Sequence, residues 1–97
     1  LALKTARAML HHTAMRWDSE PEARSTMADS LIACKLTVTN AAIQVVNHAM
    51  RAVGGASMTP ALPLERYYRD VQAGLFHPPS DENGLLMLGK LALAQAR

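Results

Sequence analysis

The sequence predicts an all-α fold, part of an up-down bundle of about four helices. Three observations carry that prediction. Apolar residues make up 49% of the 97 positions but aromatics only 4%, so the core must be built from Leu, Val, Ile, Ala and Met. That palette suits packed helices better than a sheet. Apolar residues recur every three or four positions in each long segment. No stretch alternates apolar and polar residues long enough to argue for a strand.

The first helix is expected over about Leu1 to Trp17, with Leu3, Ala6, Leu10, Thr13 and Trp17 on one stripe. It stops in Asp18-Ser19-Glu20-Pro21, residues that cap or turn. A second, long helix is expected from about Pro21 to Val53, or ~50 Å at 1.5 Å per residue. It carries two apolar stripes, Met27-Leu31-Cys34-Val38-Ala41-Val45-Ala49 and Ile32-Leu36-Ile43-Val46-Met50-Val53. Two stripes require packed neighbours on two sides, as inside a bundle. Gly54 and Gly55 follow, where the absence of a Cβ allows a positive φ or a close approach.

A third helix is expected from Pro63 to Ala73, started by a proline and closed at Gly74. Leu64, Tyr67, Tyr68 and Val71 form its buried stripe, and Glu65–Arg69 and Arg66–Asp70 are i, i+4 ion pairs. Such charges more often solvate a helix face than act in chemistry. The loop Phe76-His77-Pro78-Pro79 cannot be helical ahead of its prolines. Ser80 is a natural N-cap for a last helix, with Asp81 and Glu82 in its first turn. Leu85, Leu88 and Ala92 are expected to form a stripe of that helix, with Leu86 and Leu93 on a flank.

The net charge is +2, with acids and bases alternating, which argues against a nucleic-acid face. The lone Cys34 lies within an apolar stripe and reads as a small buried hydrophobe in a reducing compartment. No apolar run approaches the ~20 residues that span a bilayer. With no signal-peptide layout either, the expectation is a cytoplasmic protein without membrane insertion. His11-His12 points its two rings about 100° apart on a helix, with no further ligands nearby, so no metal site is expected. No serine lies in a hydrolase elbow. Because the chain begins in mid-helix without an initiator Met, it is expected to be a piece of a longer protein.

The most specific signal is the spacing GG-x(7)-P-x-E-x(3)-R-D, read as Gly54-Gly55, Pro63, Glu65 and Arg69-Asp70. It resembles the C-terminal helical domain of the acyl-CoA dehydrogenase family, and the interval fits without a gap. Thr26-Met27-Ala28 is similar to the family's S-M-A-K segment. The resemblance extends over essentially the whole chain. It implies residues 1–97 to be a single helical domain fragment, the C-terminal part of a longer FAD-dependent oxidoreductase that desaturates an acyl-CoA. In that family FAD lies between subunits of a homo-oligomer, and the glycine segment of one subunit approaches the adenosine–pyrophosphate part of the flavin held by its neighbour.

Carried over by position, the cofactor-binding set is Arg51, Gly54, Gly55 and Ser80. Arg51 stands where the family has Gln, and Ser57 where it has a further Gly. Arginine can still donate to a phosphate. In many members a Glu on the loop after Arg-Asp removes the substrate's α-proton, and that position is Pro78, which accepts no proton. Some members carry the base on an earlier helix, outside this sequence. Others on the same fold are flavin-dependent monooxygenases, which do not need the loop Glu. From a different class, a non-catalytic helical assembly module would use its glycines only as caps.

Overall fold

The computed structural model describes residues 1–96, in which helices are joined by short turns and loops. In chain order the elements are α1 (Ala2–Ser19), a 3-10 segment (Pro21–Thr26), α2 (Ala28–Val53) and a second 3-10 segment (Gly54–Met58). Then follow α3 (Leu64–Val71), α4 (Ala73–Phe76) and α5 (Asp81–Gln95). The all-α expectation holds. No helix among the described residues is long and apolar enough to cross a membrane.

The helix α2 is the spine. Its 26 residues run ~39 Å, and α1, α3, α4 and α5 all pack against it. The sealed core is small: Ala6 of α1, Met27 at the bend before α2, and Ile32, Cys34 and Leu36 of α2. Cys34 is buried and unpaired, as its place in an apolar stripe predicted.

The long second helix does not begin at Pro21. Residues Pro21–Thr26 wind as a 3-10 segment and the chain bends at Met27, so α2 starts at Ala28. Local bonds favour the tighter winding. Arg24 donates from Nε to the Trp17 carbonyl at 2.7 Å and lies 4.9 Å over the Trp17 ring, tying the segment back to the end of α1. Thr26 Oγ1 donates to the Ala23 carbonyl at 2.8 Å, one of the short-range bonds by which Ser and Thr compete with a regular helix. The bend turns the Met27 side chain fully inward, with 0% exposure.

Two further expectations change at α3. The chain passes from α3 to α4 through Gln72, whose φ of −63° and ψ of −25° are still helical. Gly74 therefore does not close a helix; it sits inside α4, where a Cβ would run into the Thr39 side chain of α2. Its lack of a side chain serves close approach between helices. Tyr67 and Tyr68, assigned to a buried stripe, are 45% and 41% exposed, while Leu64 and Val71 are half-buried. Only the rim of α3 meets α2. Glu65 and Arg69 pair at 3.4 Å. Arg66 does not pair with Asp70 and lies over the Tyr67 ring at 5.6 Å.

In α5 the inward face is also shifted. Gly84 is buried, and Leu88 and Leu91 are half-buried, whereas Leu85 and Ala92 of the expected stripe are exposed. Gly84 sits over Leu36, with no room for a side chain between them. Ser80 caps the helix as predicted, accepting from the Asn83 N–H at 3.3 Å.

The molecule measures 53 × 28 × 21 Å, with a radius of gyration of 16.3 Å. A globular chain of this length has about 12.5 Å. Its accessible surface, 7020 Å², exceeds by roughly 1,600 Å² that of a globular monomer of equal mass. Leu3, Met15, Leu85, Leu86 and Leu93 are among the large apolar side chains left open. Large apolar side chains are left open on each of the five helices.

Candidate functional site

The four positions singled out in the sequence fall in two places. Arg51, Gly54 and Gly55 share the C-terminal end of α2. Gly54 has φ 81° and ψ −148° and is the single positive-φ residue among those described. That conformation is essentially reserved for glycine, so the residue is required by the backbone and not only tolerated. Its N–H donates to the Met50 carbonyl, closing the helix. Gly55 has no positive φ. Nothing lies within 4 Å of where a Cβ would project from either glycine, and Arg51 beside them is exposed. Ser57 is buried at 2% exposure, and its hydroxyl donates to the Gly54 carbonyl at 2.7 Å. Where the family pattern has another glycine, this chain uses a serine to brace the first one. The result is an open stretch of bare backbone next to one guanidinium.

Ser80 is not part of that patch. It stands at the start of α5, on a loop anchored near the first half of α2. Asn40 Nδ2 donates to Asp81 Oδ2 at 3.0 Å and to the Leu36 carbonyl at 2.8 Å. Asn40 and Gly54 are separated by 14 residues of helix, or ~21 Å. A ligand touching both places would have to be long.

The loop His77–Ser80 carries Pro78, which is exposed and offers no proton-accepting atom. Behind it lies a feature that sequence reasoning missed. Lys35 Nζ donates at 2.8 Å to the Gly74 carbonyl and at 2.8 Å to the Pro79 carbonyl. A cation in the apolar run Ala33-Cys34-Lys35-Leu36 was the available signal, but its partners lie about 40 residues away. A groove of about 670 Å³ runs beside this loop, lined by Ile32, Phe76, Pro78, Leu86 and Met87, with Lys90 at its edge.

Comparison with known proteins bears on this arrangement. The family model described as "Acyl-CoA dehydrogenase, C-terminal domain" matches residues 1–77, ending one residue before Pro78. A Bacillus subtilis (strain 168) protein named "Putative acyl-CoA dehydrogenase YdbM" is 49% identical over 82 residues. Those residues are 84% of this chain and 21% of that protein, so the chain spans about a fifth of the length of the curated relative it matches. A match over most of the chain, to a helical domain that the fold reproduces, establishes the relationship: the chain belongs to the acyl-CoA dehydrogenase family and carries its C-terminal domain.

Proposed function

We propose that residues 1–97 act as the C-terminal domain of a longer FAD-dependent oxidoreductase that desaturates an acyl-CoA between Cα and Cβ. The observation that carries the reading is the family match over residues 1–77, which includes both the glycine turn and Arg69-Asp70. Bound FAD would supply the acceptor for the substrate's hydride.

This chain's own share is binding and assembly. At the end of α2 the donor set suits an anionic group. Arg51 offers a guanidinium whose fork of donors matches phosphate oxygens, and the open backbone at Gly54 and Gly55 lets a phosphate approach without meeting a side chain. The Ser57 brace holds that backbone in place. Ser80 keeps one oxygen lone pair on Asn83 and has its proton free to donate. Because the two patches lie ~21 Å apart along α2, we assign Arg51, Gly54 and Gly55 to the phosphate end of a cofactor held by a neighbouring subunit, and Ser80 to a separate region of contact. The apolar surface left open on the helices supports a homo-oligomer built with the rest of the polypeptide.

Pro78 holds no base, Asp81 is engaged by Asn40 and Glu82 stands exposed in the first turn of α5, so the α-proton acceptor is assigned outside this chain. Pro78 is also the observation favouring the second reading, a flavin-dependent monooxygenase on the same scaffold, for which no loop carboxylate is needed.

The test is the flavin affinity of the full-length polypeptide. Arg51→Met should weaken FAD binding about tenfold, the loss of one charge-assisted hydrogen bond. Unchanged affinity in both Arg51→Met and Gly54→Ala would reject the assignment.

A further inference from the structure

We propose that Lys35 is a positioning residue, whose ammonium sets where the segment from Gly74 to Pro79 lies and so fixes one wall of the groove beside α5. The inference rests on the functional reading above for what the groove receives, but the pin itself stands on geometry. Lys35 is half-buried in α2 and grips two carbonyls five residues apart, each at 2.8 Å. The Gly74 carbonyl belongs to a four-residue helix, too short to satisfy its own last carbonyls, and a cation there also suits the negative end. The Pro79 carbonyl directly precedes the cap of α5. Between the two grips stand Phe76, 83% exposed, and Pro78, both lining the groove.

Other contacts complete the clamp without replacing it. Gly74 seats on Thr39 one helical turn along α2, and Asn40 holds Asp81 at the start of α5. These fix the two ends of the loop against α2. Lys35 joins both ends to one point, so it sets how far Phe76 and Pro78 stand from Leu86 and Met87 across the groove. Lys35 acts on the groove from behind its lining, through the Pro79 carbonyl, so its effect is on how tightly an apolar acyl chain is held there. Pro78 transfers no proton, and a misplaced wall should therefore cost binding more than turnover.

The test compares Lys35→Met, which keeps the stem and removes the donors, with Lys35→Arg in the full-length polypeptide. Hydrogen exchange in peptides covering residues 74–81 should be about ten- to a hundredfold faster in Lys35→Met, from the loss of hydrogen bonds to a charged group. Peptides of α1 should be unchanged, and Lys35→Arg should restore most of the protection. With octanoyl-CoA as probe, KM should rise about tenfold in Lys35→Met with kcat within about twofold. Exchange in residues 74–81 that matches wild type, or that rises equally in α1, would overturn the proposal. So would a lower kcat at unchanged KM. A loosened segment in a protein that turns over no acyl-CoA even as wild type would leave the pin standing and reject the enzyme reading instead.

Discussion

Two glycines in α5 offer a controlled comparison, because the same substitution should act in opposite directions. At Gly84 an added Cβ would lie 2.8 Å from Leu36 Cδ1, 3.0 Å from Cδ2 and 3.2 Å from Cγ. Rotating the leucine can move the methyls, but Cγ itself is already too close, and Leu36 is buried with little room to retreat. Relief requires α5 to shift away from α2. Overpacking of this kind costs about 1–3 kcal/mol, against about 1 kcal/mol regained when Ala replaces Gly in a helix. Gly84→Ala should therefore destabilise by a net ~1 kcal/mol. At Gly89 nothing lies within 4 Å, so Gly89→Ala should stabilise by about 0.5–1 kcal/mol. Urea unfolding followed by circular dichroism would measure both, and a difference of ~2 kcal/mol corresponds to roughly 8–16 °C in Tm for a domain of this size. Leu36→Ala loses core packing on its own, yet Gly84→Ala should become neutral or favourable in its background. If Gly84→Ala stabilises the wild-type background as much as Gly89→Ala, the close seating of α5 on Leu36 is wrong.

Gly54→Ala should cost about 1–3 kcal/mol through backbone strain alone, while Gly55→Ala should be near neutral; equal values in urea melts would show that the turn does not need its positive φ. The Cys34 thiol, 6% exposed, should react with an aromatic disulfide reagent at least about a hundredfold more slowly in folded than in urea-unfolded protein, and stoichiometric labelling of the native state within seconds would contradict its burial. The 97-residue chain alone should self-associate and bind an apolar dye at tens of micromolar, because its uncovered apolar surface is large; a monodisperse monomer by light scattering, with no dye bound, would refute this.

The parts of the fold that were legible in the sequence are those set by local chemistry. Helical periodicity located α1 and most of α2, Ser80 announced its cap, and the double glycine announced the end of α2. The errors came where neighbours decide. Pro21 suits the first turn of an α-helix and of a 3-10 segment equally, and the choice is made by Arg24 reaching back to Trp17. The spacing of Leu64, Tyr67, Tyr68 and Val71 defines a face but not whether anything covers it. In α5 the run Leu85-Leu86-Met87-Leu88 is apolar nearly all round, so periodicity could not select the inner face; Gly84 does so, by permitting contact with Leu36. For the candidate site, glycine-to-Arg-Asp spacing was readable because it is local. The grip of Lys35 on Gly74 and Pro79 was not, since it joins residues brought together only by the fold.

The reaction itself is read from the flavin. Full-length protein, purified with its flavin, would be mixed with octanoyl-CoA in the absence of oxygen while the oxidised-flavin absorbance is followed. The account predicts that the band bleaches in wild type and that the α,β-unsaturated thioester is formed, with the base supplied from outside residues 1–97. A flavin that no acyl-CoA reduces, but that hydroxylates a substrate once it has been reduced separately and exposed to oxygen, would contradict the account and establish the monooxygenase in its place.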